Sequence, residues 1–216
     1  GVFLIPLESI DSGGHLVPAI ADAIGFDVNT IATRLEPQVQ LLHYIRDRVL
    51  LLILDGFEHL LDQAGLVSEL LDRCPGVKVL STSRQHLNLR GEWTVQVEGL
   101  SLPTDQDEAS GQDSEALALF VERARQADFS LRQQGYDREH ALRICRLVEG
   151  MPLGIELATA WIPLLSPSEI ADEIERSLDF LTTSARDVPE RHSSLRAVFD
   201  SSWQLLTQEE RTTLCK

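Results

Sequence analysis

Lysine is nearly missing from this chain. Of its 19 basic residues only Lys78 and Lys216 are lysines, and the remainder are arginines. The shortage excludes one site outright: a phosphate-cradling loop of the form GxxxxGK[ST] needs a lysine to reach the terminal phosphates. Lys78 sits inside an apolar run and Lys216 is the last residue, so no such loop exists in these 216 residues. Basic charge is also in deficit overall, and the net charge of −15 argues against a binder of nucleic-acid backbones, whose affinity comes from clustered Lys and Arg. Any contact with DNA is expected from regions outside this chain. Cysteine is scarce and scattered, at Cys74, Cys145 and Cys215, which excludes a disulfide framework or a zinc cluster and suits a reducing, cytoplasmic setting. No apolar stretch is long enough for a membrane span, and no basic region precedes an apolar core at the N-terminus. GxSxG, HExxH and GxGxxG are all absent, and the six histidines show no ligand spacing, so triad hydrolases, zincins and dinucleotide enzymes lack support.

What is present begins with Leu50–Asp62, LLLILDGFEHLLD. An apolar run without alternation predicts a strand buried on both faces, in a parallel sheet covered by helices. Asp55 then stands where such sheets place their ligand sites. Val2–Leu7 predicts an earlier strand, followed by a Gly13–Gly14 turn and a helix with Leu16, Val17, Ile20, Ala23 and Ile24 on one face. A helix near Pro37–Arg46 leads into the Leu50 strand. Leu60, Leu61, Leu70, Leu71 and Cys74 stripe the next helix, which Pro75–Gly76 ends. Val77–Thr82 predicts a further strand, and the alternation of Trp93, Val95 and Val97 with polar neighbours predicts one more. Strand and helix in alternation favour a parallel α/β sheet.

The composition turns acidic and small over residues 104–115, as expected of an exposed linker. Only helical patterns follow. Ala116, Leu117, Phe120 and Ala124 stripe one helix, and Ala141, Leu142, Cys145 and Val148 stripe another that stops at Gly150. Pro152 opens the next helix at its first position. Ser166-Pro167-Ser168-Glu169 and Thr207 to Glu210 each carry a capping-box pattern. Leu195, Val198, Phe199, Ser202, Trp203 and Leu206 follow helical spacing. The abrupt start in a strand and the stop inside an apparent helix suggest cuts through a larger protein.

LLILDGFEHLLD, VLSTSRQHLNLRGEWTVQVEGLSLP, ALALFVERAR, ICRLVEGMPLGIELATAW and RHSSLRAVFDSSWQLLTQEER resemble, in order and spacing, the signal-transducing STAND ATPases, in particular large bacterial regulators with an NB-ARC-like core. The resemblance implies a three-layer P-loop NTPase-like α/β domain over residues 1–103 that lacks its P-loop strand. It also implies the acidic linker at 104–115, a helical domain at 116–190 and the start of a winged helix at 191–216. Asp55 matches the Walker B magnesium ligand, Arg84 the sensor arginine that reads a terminal phosphate, and Gly150-Met151-Pro152 the GxP motif whose proline packs on adenine. Where strong hydrolases place an acid after the Walker B aspartate, this chain has Gly56. Glu58 is the nearest candidate to act on water, although its position also suits a charge at the N-terminus of the following helix.

These readings make the chain part of an ADP/ATP-dependent switch in a signalling or transcriptional regulator, holding nucleotide and magnesium between its α/β and helical domains in the intact protein. Slow hydrolysis or none is expected, and no tight nucleotide binding by these residues alone. The alternatives are a nucleotide-free interaction scaffold and a DNA-binding transcriptional regulator. The expected partners are other domains of the same protein, with self-association open. In the family's sheet the missing strand lies between Val77–Thr82 and Trp93–Val97, so the latter is expected to close onto Val77–Thr82, to sit detached or to pair with another chain.

Overall fold

A computed structural model describes residues 1–8, 10, 15–27, 35–102, 114–128, 136–183 and 193–215. The Gly13–Gly14 turn, the linker stretch 104–113 and the expected winged-helix start at Arg191 lie outside the described residues. The chain forms two compact units, Gly1–Val95 and Gln96–Lys216, and each is described by itself.

The first unit is α/β. Its order is β1 (Val2–Pro6), α1 (Leu16–Ala23), α2 (Pro37–Ile45), β2 (Leu50–Asp55), α3 (Ala64–Arg73) and β3 (Val77–Thr82). The strands form a parallel sheet in the order β1-β2-β3, with Leu4 opposite Ile53 and Ile53 opposite Leu80. Both crossovers advance across the sheet in the same direction, so the right-handed rule sends their helices to one face. The core agrees. Ile5, Leu52, Leu54 and Val77 from the sheet join Leu16 and Ile20 of α1, Leu41 and Ile45 of α2, and Val67 and Leu70 of α3 in a single buried cluster.

Four expectations are corrected here. The Leu50–Asp55 run is not buried on both faces: Leu50, Leu52 and Leu54 are buried while Leu51, Ile53 and Asp55 are half-buried. Among the described residues the unit has two layers in place of three, because both crossovers fill the same face. The segment after Asp55 is not one helix but two single 3₁₀ turns, Phe57–His59 and Leu61–Gln63, before α3 begins at Ala64. Phe57 and Leu60 are fully buried and anchor these turns in the core. Trp93–Val97 forms no strand. It has no ladder partner among the described residues, and Trp93 is 95% exposed, so alternation without a neighbouring strand does not produce one.

The second unit is helical: α4 (Glu115–Ala127), α5 (Arg138–Leu147), α6 (Pro152–Thr159), α7 (Pro167–Arg176), α8 (Leu195–Leu205) and α9 (Gln208–Leu214). Leu117, Phe120 and Ala124 of α4 pack with Leu142, Ile144 and Cys145 of α5, Ile155 and Ala158 of α6, and Ile170 and Ile174 of α7. Trp161 stacks on Phe180 with ring centres 4.7 Å apart. Arg143 of α5 reaches Asp172 at 2.9 Å and Glu175 at 2.8 Å on α7, a partly exposed pair of contacts that orients more than it stabilises. Both capping boxes form. The Ser166 amide and hydroxyl donate to Glu169 at 2.9 and 2.7 Å, and Thr207 does the same to Glu210 at 2.8 and 2.9 Å. A bridge between Thr182 and Ser194 and two contacts of 3.0 Å from Arg196 to Asp179 tie α8 to the bundle.

Leu52→Ala should lower the stability of the first unit by about 2–5 kcal/mol in urea unfolding, because it opens a cavity in the buried face. Leu51→Ala, on the half-covered face, should cost roughly a third as much. In the second unit, the hydrogen bonds from the Ser166 side chain and backbone hold the Glu169 carboxyl below its ordinary value of 4.5. The native state therefore binds fewer protons than the unfolded chain, and the cap stabilises α7 above that value and is lost as pH falls through the lowered native one. Glu169→Gln should flatten this acid limb in a circular-dichroism titration.

Candidate functional site

Parallel strands end together at their C-terminal edge, and that edge gathers the polar groups of the first unit. Asp55 and Thr82 are register partners at the ends of β2 and β3. The Thr82 hydroxyl donates to Asp55 Oδ1 at 2.5 Å and accepts the Gly56 amide at 2.9 Å. Asp55 thus has a fixed orientation, set from a strand 27 residues away. The carbonyl of Asp55 accepts the Leu7 amide at 2.9 Å, which locks the end of β1 to the same edge.

Gly56 sits at φ 82°, ψ 51°, in the left-handed region that glycine occupies without penalty. The sequence's departure from an acid at this position has a conformational cause: the chain must turn sharply after β2 to bury Phe57. Glu58, in the first 3₁₀ turn, faces Arg84 with Oε1 3.5 Å from Nε. Its side chain is 13% exposed. The expected role of Glu58 as a helix N-terminal charge is therefore replaced by a pairing with the arginine that follows β3, since no α-helix begins there. Asp55, Glu58 and Arg84 come together on one edge as expected. Thr82, the group that orients Asp55, enters the sequence reading only as the last residue of a strand. Its role follows from the parallel register, which a βαβ spacing could have supplied.

Gly150 and Pro152 belong to the second unit, at the junction of α5 and α6. Gly150 has φ +66°, and a Cβ there would lie 2.3 Å from the Leu100 carbonyl oxygen. The Leu100 amide donates to the Gly150 carbonyl at 3.0 Å. Pro152 is the first residue of α6 and is exposed. Gly154 lets α6 close onto α5, since a Cβ there would meet Val148 at 2.8 Å. These glycines make the motif a tight helix–helix corner with the proline ring at its surface.

Other chemistry is sparse. An open cleft of about 410 Å³ is lined by Val39, Leu42, His43, Arg46, Asp72 and Arg73, and none of the sequence-predicted site residues lines it. Among the described residues no group of three His, Cys, Asp or Glu side chains is arranged to hold a metal. No helix there is long and apolar enough to cross a membrane. Burial pushes the Cys145 thiol up to about 12, which removes it as a nucleophile.

The chain is similar over 212 residues, at 34% identity, to proteins from Mycobacterium tuberculosis and Mycobacterium bovis named "Putative HTH-type transcriptional regulator". The match covers 98% of this chain and 23% of each of theirs. It is also 36% identical over 176 residues to a Mycobacterium tuberculosis protein named "Uncharacterized protein", covering 79% of this chain and 41% of that one. The chain thus spans under a quarter of the length of the regulators it matches. No protein-family model matches it, and no solved structure matches significantly.

Gly150→Ala should destabilise the helical unit by about 2–4 kcal/mol, from the left-handed backbone and the clash with Leu100. Thermal denaturation of the variant reads this directly. Pro152→Ala, at an exposed first helical position, should leave the melting temperature within a few degrees of wild type.

Proposed function

We propose that residues 1–216 are part of a nucleotide-dependent switch of the STAND type within a transcriptional regulator. The observation that carries the reading is the polar edge of the first unit, where Thr82 orients Asp55 and Glu58 holds Arg84. A carboxylate beside a hydroxyl is the oxygen-donor chemistry that magnesium accepts, so Asp55 fits the Walker B role in a longer protein that supplies a phosphate cradle. The magnesium nucleotide would supply the negative terminal phosphate to which a guanidinium responds. In this reading Arg84 exchanges its carboxylate partner Glu58 for that phosphate when ATP is bound and returns to Glu58 with ADP. The exchange leaves Glu58 as a latch more than as a base, in keeping with slow hydrolysis. Gly150 shapes the corner that presents Pro152 for packing on adenine. The order of five motifs supports the switch, and the names of the mycobacterial relatives support only the transcriptional regulator around it.

A second reading is a DNA-binding transcriptional regulator whose contacts with DNA lie outside these residues. The names of the relatives favour it, and it is compatible with the switch, which would then control the DNA-binding part. The nucleotide-free scaffold is distinguished from both by calorimetry. Titration of magnesium ATP and of ADP into residues 1–216 should show no micromolar binding, whereas a version extended upstream should bind both. In the extended protein Arg84→Ala should weaken ATP by about 10–100-fold, roughly 1.4–2.7 kcal/mol, and leave ADP unchanged. Tight binding by residues 1–216 alone would overturn the claim of an incomplete site. Binding of neither nucleotide by the extended protein would favour the scaffold.

A further inference from the structure

The stretch from Ser83 to Val95 contains no further strand or helix, yet it is closely held, and one carboxylate holds it. Glu92 Oε1 accepts the Leu87 amide and Glu92 Oε2 the Leu89 amide, both at 3.2 Å. The Glu92 amide in turn donates to the Leu89 carbonyl at 3.2 Å, which closes the turn Leu89-Arg90-Gly91-Glu92 with Gly91 at φ 83°. Asn88, between the two capped amides, stands at φ 55°, a left-handed conformation that asparagine enters more readily than most residues. Hydrogen bonds from backbone amides to an ionised carboxylate are charge-assisted and stronger than the neutral bonds of an ordinary turn. His86 Nδ1 lies 4.0 Å from Glu92 Oε1 and 3.3 Å from the Thr94 hydroxyl.

What this loop carries is Arg84. Upstream, the chain is pinned at Thr82, which is the register partner of Asp55 and donates its hydroxyl to it. Downstream, the next fixed points are Leu87 and Leu89, whose side chains pack partly buried against the core of the first unit and whose amides end on Glu92. Between these pins the Gln85 amide donates to the Ser83 hydroxyl at 3.2 Å, a local bond that bends the chain without tying it to the sheet. Arg84 sits in that bend, and its Nε reaches Glu58 Oε1 at 3.5 Å. The reach of its guanidinium is therefore set from both ends, by Thr82 before it and by Glu92, through Leu87, after it. A planar guanidinium recognises an anion only in the right orientation. A loop freed at one end loses that orientation even though Arg84 itself is unchanged.

We infer that Glu92 is a positioning residue for Arg84: its carboxylate caps the Leu87 and Leu89 amides and so fixes the bend from which Arg84 reaches Glu58 and, when nucleotide is bound, the terminal phosphate. The phosphate half rests on the switch proposed above, and the Glu58 half rests on the loop alone. NMR of residues 1–216 tests the latter without nucleotide. Glu92→Gln keeps the length of the side chain but leaves one accepting oxygen in place of two. The Leu87 and Leu89 amides should then exchange with solvent about 10-fold faster or more. The Arg84 Nε–H resonance, identified by its loss in Arg84→Lys, should move toward its position in Glu58→Gln. Glu92→Asp, which keeps the charge and shortens the reach, should shift the same resonance in the same direction. Unchanged amide exchange overturns the cap. An Arg84 resonance that stays in place while the amides open overturns the positioning role, whatever the melting temperature does. In the upstream-extended protein Glu92→Gln should weaken magnesium ATP by about 3–10-fold, leave ADP unchanged, and add nothing to Arg84→Ala. Equal losses for both nucleotides, or a loss that adds to that of Arg84→Ala, mark general destabilisation and overturn it as well. Should Arg84→Ala fail to separate ATP from ADP, the switch falls, and the Arg84 resonance in residues 1–216 still decides the place of Glu92.

Discussion

The pairing of β2 on both its edges is the constraint from which the first unit follows. Hydrogen-bond ladders to β1 on one side and β3 on the other fix the register of three strands at once. That register places Leu52 and Leu54 over the helices and aligns Asp55 with Thr82. Slipping either ladder by one residue would exchange the buried and open faces and carry the carboxylate away from its hydroxyl. The same central strand forces the left-handed turn at Gly56, because Phe57 must drop into the core immediately beyond the sheet. Fold and candidate chemistry therefore depend on a single strand of six residues.

The edge that results is suited to a change of state. The Glu58–Arg84 contact, at 3.5 Å, is looser than a tight bidentate pair, and a partner of higher negative charge competes well for a guanidinium. The helical unit has a different mechanical character. Capping boxes at Ser166 and Thr207 fix the starts of α7 and α9, and Gly150 and Gly154 allow the close approaches at the α5–α6 corner.

Much of this was legible in the sequence wherever one segment specifies its own structure. The helices around Leu117, Leu142 and Ile170, the proline start at Pro152 and both capping boxes depend on residues three or four apart, and they formed where expected. The expectations that changed concern cover and partnership. Nothing within LLLILD tells whether both faces will be covered, since that depends on the direction of the crossovers. The alternation at Trp93–Val97 fits a half-buried strand, yet a strand also needs a ladder beside it. Glu58 is expected at a helix start because Leu60 and Leu61 suit helical spacing, but the chain makes two 3₁₀ turns there and the α-helix begins only at Ala64. The Asp55–Thr82 contact depends on register between distant segments, which composition does not encode.

Hydrogen–deuterium exchange on the upstream-extended protein, compared between saturating magnesium ATP and saturating ADP, addresses the central claim most directly. The account predicts that the two nucleotides differ in amide exchange at Asp55–Glu58 and at Thr82–Arg84, where the carboxylate–hydroxyl contact and the Glu58–Arg84 pair lie. Identical exchange in both segments with both nucleotides bound would contradict it.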